Sequence, residues 1–281
     1  MMGLEVKDIT KHFGRVCALD RINLCFEENK IYGLLGRNGA GKSTLLNIIT
    51  NRIFADSGEI LVDGETVINN DRALSKLYMI NDKNYYPDNM KIKTIFEWTK
   101  SFYPEFDEAY AKGLADSFEL NLNKTVKSLS TGYCSIFKLI LALSVNTPYL
   151  LLDEPVLGLD ANHREFFYKT LLSKYNDKPC TIIISTHLID EVASVLEEIV
   201  IIKKGSVLCN ESSETLLSKG YTVTGGAAAV DAYTSDKKVL GVDSLGGLKT
   251  AYILGKADQN IPVNLEISRL DLQKLFIQLT N

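Results

Sequence analysis

Nine consecutive residues, Gly36-Arg37-Asn38-Gly39-Ala40-Gly41-Lys42-Ser43-Thr44, fit the pattern G-x-x-x-x-G-K-[ST] without a mismatch. Glycines let such a loop curl until successive backbone N–H groups point inward, where they bind phosphate oxygens. A helix opening at the end of the loop adds the partial positive charge of its N-terminus. Lys42 can reach the outer phosphates of a nucleotide, and the Ser43 hydroxyl can sit on Mg²⁺. The flanking sequence supports this chemistry. Residues 30–35 read as a short buried strand and Leu45-Leu46-Asn47-Ile48-Ile49 as the start of a helix, which is the strand–loop–helix context that the motif needs.

Two further runs end in reactive side chains. Tyr149-Leu150-Leu151-Leu152 is continuously apolar, as a strand buried on both faces must be, and it runs into Asp153-Glu154-Pro155. The C-terminal end of such a strand is where an open α/β sheet places ligand chemistry. Asp153 can hold Mg²⁺ through water, and Glu154 can polarise an attacking water. Thr181-Ile182-Ile183-Ile184-Ser185 is a second buried strand, and Thr186-His187 follows it.

The chain that must position these groups has 281 residues, enough for one large α/β domain and a small extra unit. A net charge of −4, with no basic run longer than Lys203-Lys204 or Lys237-Lys238, argues against a nucleic-acid partner. Met1 to Lys11 lacks the apolar core of a signal peptide. The longest apolar runs, such as Ile199-Val200-Ile201-Ile202, are strand-sized. A cytoplasmic chain is therefore expected. Its cysteines (Cys17, Cys25, Cys134, Cys180, Cys209) lack C-x-x-C spacing, which suits reduced thiols packed as small hydrophobes.

Alternation over Leu4 to Ile9 and Ile22 to Phe26 predicts strands of an antiparallel sheet beside the glycine loop. From about Lys93 to Asn146 the spacing turns helical, with Ile95, Phe96, Trp98, Phe102 and Tyr103 expected to form the core of that insertion. Strands return at 149–152, 181–185 and 199–203 with helices between them, the order of a parallel α/β sheet. After Gly205 the pattern loosens. A separate unit starts near Tyr221, with strand-like runs at 238–242 and 248–254 and an amphipathic helix over 268–279.

Together these pieces resemble the nucleotide-binding subunit of ATP-binding-cassette (ABC) transporters over about residues 3–210. The resemblance implies a P-loop NTPase core with an antiparallel β-subdomain and a helical subdomain at about 90–146. The cassette would occupy residues 1–218, and a small C-terminal α+β unit residues 219–281. It also implies roles for particular residues. Phe13 would stack on the adenine of ATP. Gly36 to Thr44 would hold the phosphates, with Asn38, Gly39, Ala40, Gly41, Lys42, Ser43 and Thr44 in contact. Asp153 is similar to the carboxylate on the Mg²⁺ side, Glu154 to the catalytic glutamate and His187 to the histidine that contacts the γ-phosphate. Asp160, in Leu157-Gly158-Leu159-Asp160, would lie at a dimer seam.

Two positions depart from the family pattern. Leu129-Ser130-Thr131-Gly132-Tyr133 stands where the family has Leu-Ser-Gly-Gly-Gln. It keeps Ser130 and Gly132, which would meet the ATP of a second copy. Asn81 stands at the position of a metal-side Gln and keeps an amide oxygen, one methylene shorter. Such loosened signatures are similar to those of ATPases serving type-2 exporters of the bacitracin- and lantibiotic-resistance kind. The expectation is an ATP-hydrolysing subunit that dimerises on ATP and drives a separate membrane-spanning permease from the inner face of the membrane. The alternative is an ATP-binding regulatory or non-transport protein of the same family, with little hydrolysis.

Overall fold

Strands whose apolar residues alternate and strands that are apolar throughout part into different sheets. The computed structural model describes residues 3–258 and 261–280; Met1, Met2 and Asn281, at the ends of the expected units, lie outside them. The alternating strands β1 (Leu4–Phe13), β2 (Val16–Phe26), β4 (Ser57–Val62) and β5 (Glu65–Thr66) form an antiparallel sheet in the order β2-β1-β4-β5. The apolar strands β3 (Ile31–Leu35), β6 (Leu77–Ile80), β7 (Tyr149–Asp153), β8 (Thr181–Thr186) and β9 (Glu198–Lys203) pair in parallel, and β10 (Ser206–Ser212) closes one edge antiparallel to β9. The order is β10-β9-β3-β8-β7-β6.

Every residue of β3, β6, β7 and β8 is buried. Successive side chains point to opposite faces and feed two cores. Ile31, Leu35, Leu150, Leu152, Ile182 and Ile184 pack toward the helical side. Tyr32, Leu34, Tyr149, Leu151, Ile183 and Val200 pack toward the antiparallel sheet and α1 (Lys42–Ile49).

A one-turn helix, α2 (Asp71–Leu74), precedes β6, and the expected helical insertion follows it as α3 (Ile92–Phe102), α4 (Glu108–Ser117) and α5 (Thr131–Ser144). The core of the insertion differs from expectation. Ile92, Ile95, Phe96 and Thr99 form the inward stripe of α3, at offsets of three, four and seven residues. Trp98 and Phe102, at the flank of this stripe, are exposed. Beyond β7 come α6 (Ala161–Asp177) and the short α7 (Ile189–Val192), which directly follows His187-Leu188.

The C-terminal residues build a third sheet. After α8 (Ser213–Leu217) come β11 (Gly220–Gly226), α9 (Ala227–Thr234), β12 (Lys238–Leu245), β13 (Leu248–Leu254) and β14 (Leu265–Arg269), paired in the order β12-β13-β11-β14. Its own core is small: Tyr221, Val223, Val230, Ala251, Ile253 and Leu265. The final helix α10 (Leu272–Thr280) begins later than the expected 268. Ser268 and Arg269 are taken by pairing with Thr222 and Tyr221, and Asp271 then accepts the Lys274 N–H at 2.8 Å and starts the helix.

Helix α10 packs on α7. Leu270, Leu272, Leu275 and Phe276 join Ile189, Val192, Val195 and Leu196 in the large core. Each such side chain contributes about 1.5–3 kcal/mol by burial. Truncation after Ser218 should therefore lower the melting temperature by at least about 5 °C while leaving ATP affinity nearly intact, as read by thermal unfolding and calorimetric titration. Unchanged melting with lost ATP binding would instead make the C-terminal unit part of the nucleotide site.

Candidate active site

Strand order brings the three reactive segments together. Strand β8 lies between β3 and β7, with Leu35 opposite Thr186 and Asp153 opposite Ser185. The glycine loop, Asp153-Glu154 and Thr186-His187 thus leave the sheet side by side at its C-terminal edge.

Two glycines of the loop are obligatory for steric reasons. Gly41 has φ +112°, and a Cβ there would lie 2.6 Å from the Ala18 carbonyl oxygen. A Cβ on Gly36 would lie 2.7 Å from the Ile202 carbonyl oxygen. Ala40 is buried and its carbonyl accepts the Gly205 N–H at 3.0 Å, which pins the loop to the turn after β9. Asn38 and Gly39 are exposed at the tip, and Thr44 is half-buried in the first turn of the helix. No side chain caps α1, so its first-turn N–H groups remain free to meet an anion.

Lys42 is buried, and its Nζ donates to the Gly36 carbonyl at 2.7 Å, across the mouth of the loop. Burial lowers its pKa, opposed by the charges of Glu154 and Asp153. Asp153 is buried too and accepts from the Ser185 hydroxyl at 2.8 Å. Burial raises its pKa; hydrogen bonds from Ser43 and Ser185 pull it back. The Ser43 hydroxyl and the Asp153 carboxylate therefore adjoin, a hard-oxygen pair of the kind that suits Mg²⁺ with waters and phosphate oxygens completing the shell.

Glu154 adopts the left-handed conformation, φ +50°, uncommon for a side-chain-bearing residue. Its own N–H donates to the Ser185 carbonyl at 2.7 Å, continuing the sheet for one residue. The turn aims the carboxylate sideways. Oε2 accepts from Thr186 Oγ1 at 3.1 Å, and Oε1 lies 2.9 Å from His187 Nδ1. His187 itself is exposed.

The remaining expected residues surround this centre at different ranges. Phe13 ends β1, is half exposed, and lines a cavity of about 750 Å³ with Ser43, Thr44 and Asn81. Ser130 caps α5 by accepting the Tyr133 N–H, and it lines a second cavity of about 300 Å³ with Asp153 and Glu154. Gly132 sits against the 157–158 turn, where a Cβ would come 3.1 Å from the Gly158 carbonyl oxygen. Asp160 lines neither cavity. It caps α6 by accepting the His163 N–H at 2.9 Å and pairs with the ring of His163 at 2.8 Å. The Asn81 amide is engaged locally: Oδ1 accepts the Lys83 N–H and Nδ2 donates to the Tyr85 hydroxyl, both at 3.1 Å. Sequence reasoning missed Lys138, a buried cation on α5 that touches the Asn81 loop. The signal was a single lysine inside the apolar run Ile136-Phe137-Lys138-Leu139-Ile140-Leu141.

Residues 19–157 match the family model described as ABC transporter. The chain carries an ABC transporter ATPase domain. It is 29% identical over 204 residues to the ABC transporter ATP-binding protein YtrB of Bacillus subtilis, spanning 73% of this chain and 70% of that protein. It is 26% identical over 248 residues to the petrobactin import ATP-binding protein YclP of the same organism, spanning 85% and 98%. Among solved structures, an ATP-binding subunit of an ABC transporter superposes with a TM-score of 0.70 at 21% identity, covering 77% of this chain and 92% of that one. A dimeric ATP-binding cassette in a post-hydrolysis state, bound to ADP and phosphate, superposes with a TM-score of 0.65 at 25% identity, covering 75% and 98%. The cassette is thus an ATPase with the P-loop core and β-subdomain expected from the sequence.

The burial of Lys42 within the loop yields a quantitative expectation. Lys42→Ala should weaken ATP binding by about 1.5–3 kcal/mol, roughly 12- to 140-fold in Kd, through loss of a charge-assisted contact to phosphate. Calorimetric titration measures it. An affinity within twofold of the unsubstituted protein would show that the loop is not the phosphate cradle.

Proposed function

We propose that this ATPase drives a separate membrane-spanning permease as a head-to-tail homodimer with two ATPs between its copies, and that the permease is an exporter. One observation carries the hydrolytic part: Glu154, turned out of the sheet by its left-handed backbone, meets His187 on the same sheet edge as the buried Lys42 and Asp153. Cassette and accessory unit divide at about residue 218, consistent with the separate sheet of β11 to β14.

In this reading the loop amides and Lys42 hold the phosphates, and Phe13 stacks on adenine. Glu154 orients and polarises the attacking water. His187 is held by Glu154 and stabilises charge on the transferring phosphoryl group. Ser43 and Asp153 would hold Mg²⁺, which would supply neutralisation of phosphate charge; Asn81 would join them only if its amide left Lys83 and Tyr85. Ser130 and Gly132 of one copy face the phosphates in the other, and Asp160 lies at the seam, in an isologous pairing.

The permease, the dimer and a cytoplasmic position against the membrane rest on the family and on the dimeric cassette that superposes on this chain. No helix among the described residues is long and apolar enough to cross a membrane, which suits a separate permease. Export rests on the loosened signature, whereas several similar proteins are named for import. An adjacent gene for a multi-spanning membrane protein would support transport, and flux in vesicles holding both subunits would give its direction. The competing reading, a regulator with little turnover, draws on Tyr133 in the signature and on the local bonds of Asn81.

Glu154→Gln separates the two readings. The amide fits the site but cannot polarise water. Turnover should fall at least about 100-fold with ATP affinity kept, and size-exclusion chromatography with Mg-ATP should show a trapped dimer. Unchanged ATPase in the variant would remove Glu154 from its role; negligible turnover in the unsubstituted protein with its permease would favour the regulator.

A further inference from the structure

Lys138 lies in the middle of α5, flanked by Phe137 and Leu139, and is only 8% exposed. Its Nζ donates to two successive backbone carbonyls, Asn81 at 2.9 Å and Asp82 at 2.7 Å. Among the described residues no carboxylate lies within ion-pair distance of it. A buried ammonium without an anion is costly, and hydrogen bonds must offset that cost. Carbonyls that accept from a charged donor bond about twice as strongly as those that accept from a neutral one. The contact is therefore a clamp with a cationic centre.

Its position gives the clamp a meaning. Helix α5 starts at Ser130, whereas Asn81 and Asp82 leave the end of β6. Lys138 lines both cavities, the larger one reached by Ser43 and Asn81 and the smaller one shared by Ser130, Asp153 and Glu154. At its N-terminus α5 is tied to the segment after Glu154, since the Ser135 hydroxyl donates to the Leu157 carbonyl at 2.9 Å. One rigid helix thus joins the Asn81 loop to the Ser130 turn.

We propose that Lys138 is a positioning residue that couples the Asn81 loop to the Ser130 turn, so that nucleotide engagement at one is transmitted to the other. The coupling rests on the nucleotide-site reading above. The clamp does not, because its contacts are made by protein groups alone.

Hydrogen–deuterium exchange on the full chain tests both parts. Gln at 138 keeps a donor but reaches one atom less and loses the charge. In nucleotide-free K138Q, amides of residues 81–88 should exchange at least about tenfold faster, as expected when two charge-assisted bonds give way to at most weaker neutral ones. ATP should slow exchange at residues 130–133 in the unsubstituted protein and no longer do so in K138Q, with ATP affinity within about threefold because the phosphate cradle is untouched. K138R, which can still donate to both carbonyls, should restore both behaviours. Unsubstituted exchange rates at 81–88 in K138Q would overturn the clamp, and retained ATP protection at 130–133 would overturn the coupling. The unsubstituted protein gives an independent check: ATP should protect both segments with one concentration dependence, and protection of one segment alone would overturn the coupling even if K138Q fails to fold. Failure of the ATPase reading shows elsewhere, as unchanged turnover in Glu154→Gln.

Discussion

The parallel pairing of β3, β8 and β7 is the constraint on which everything else depends. In parallel strands all C-terminal ends lie at one edge. Placing β8 between the other two sets the glycine loop, Asp153-Glu154 and Thr186-His187 next to one another. The register then fixes contacts to single residues. Because Asp153 pairs with Ser185, the serine hydroxyl reaches its carboxylate, and the next N–H, that of Glu154, still finds the Ser185 carbonyl. A slip of one residue would turn every side chain of a strand to the other face and exchange the two cores.

Burial of the polar centre follows from the same arrangement. A sheet covered on both faces leaves water only at its edge, and Lys42, Asp153 and Ser185 sit just inside that edge. Each charge is disfavoured by desolvation and restored by its neighbours. Lys42 is drawn back toward its charged form by the two carboxylates, and Asp153 by two serine hydroxyls. Groups held this way need little rearrangement when charge moves through the site, which is the property that phosphoryl transfer uses.

Elements around the sheet reach this edge through particular side-chain bonds as well as apolar packing. Helix α5 reaches it at two points, through Lys138 to the Asn81 loop and through Ser135 to the turn after Glu154. The C-terminal unit reaches it through α10, which packs on α7 just beyond His187. That unit has its own small core, yet its last helix belongs to the large one, because six principal side chains, five on the sheet and Val230 on α9, bury too little to stand alone.

The sequence by itself determined the reactive groups and the sheet that bears them. Gly36 to Thr44, Asp153-Glu154 and His187 each follow an apolar run, and uninterrupted apolar residues in so short a run demand a strand buried on both faces. Phosphate chemistry was legible for the same reason: it needs residue types at fixed local spacing. What only the tertiary structure decided are contacts between residues far apart in the chain. Trp98 and Phe102 share the helical periodicity of α3, but which side of a helix is buried depends on what packs against it. The start of α10 shifted because Ser268 and Arg269 were claimed by β11, a pairing no local pattern encodes. Lys138 found two carbonyls 57 and 56 residues away. A lone lysine in an apolar helix signals a buried cation, but its partners are set by the packing of α5 against the end of β6, and that packing exists only in three dimensions.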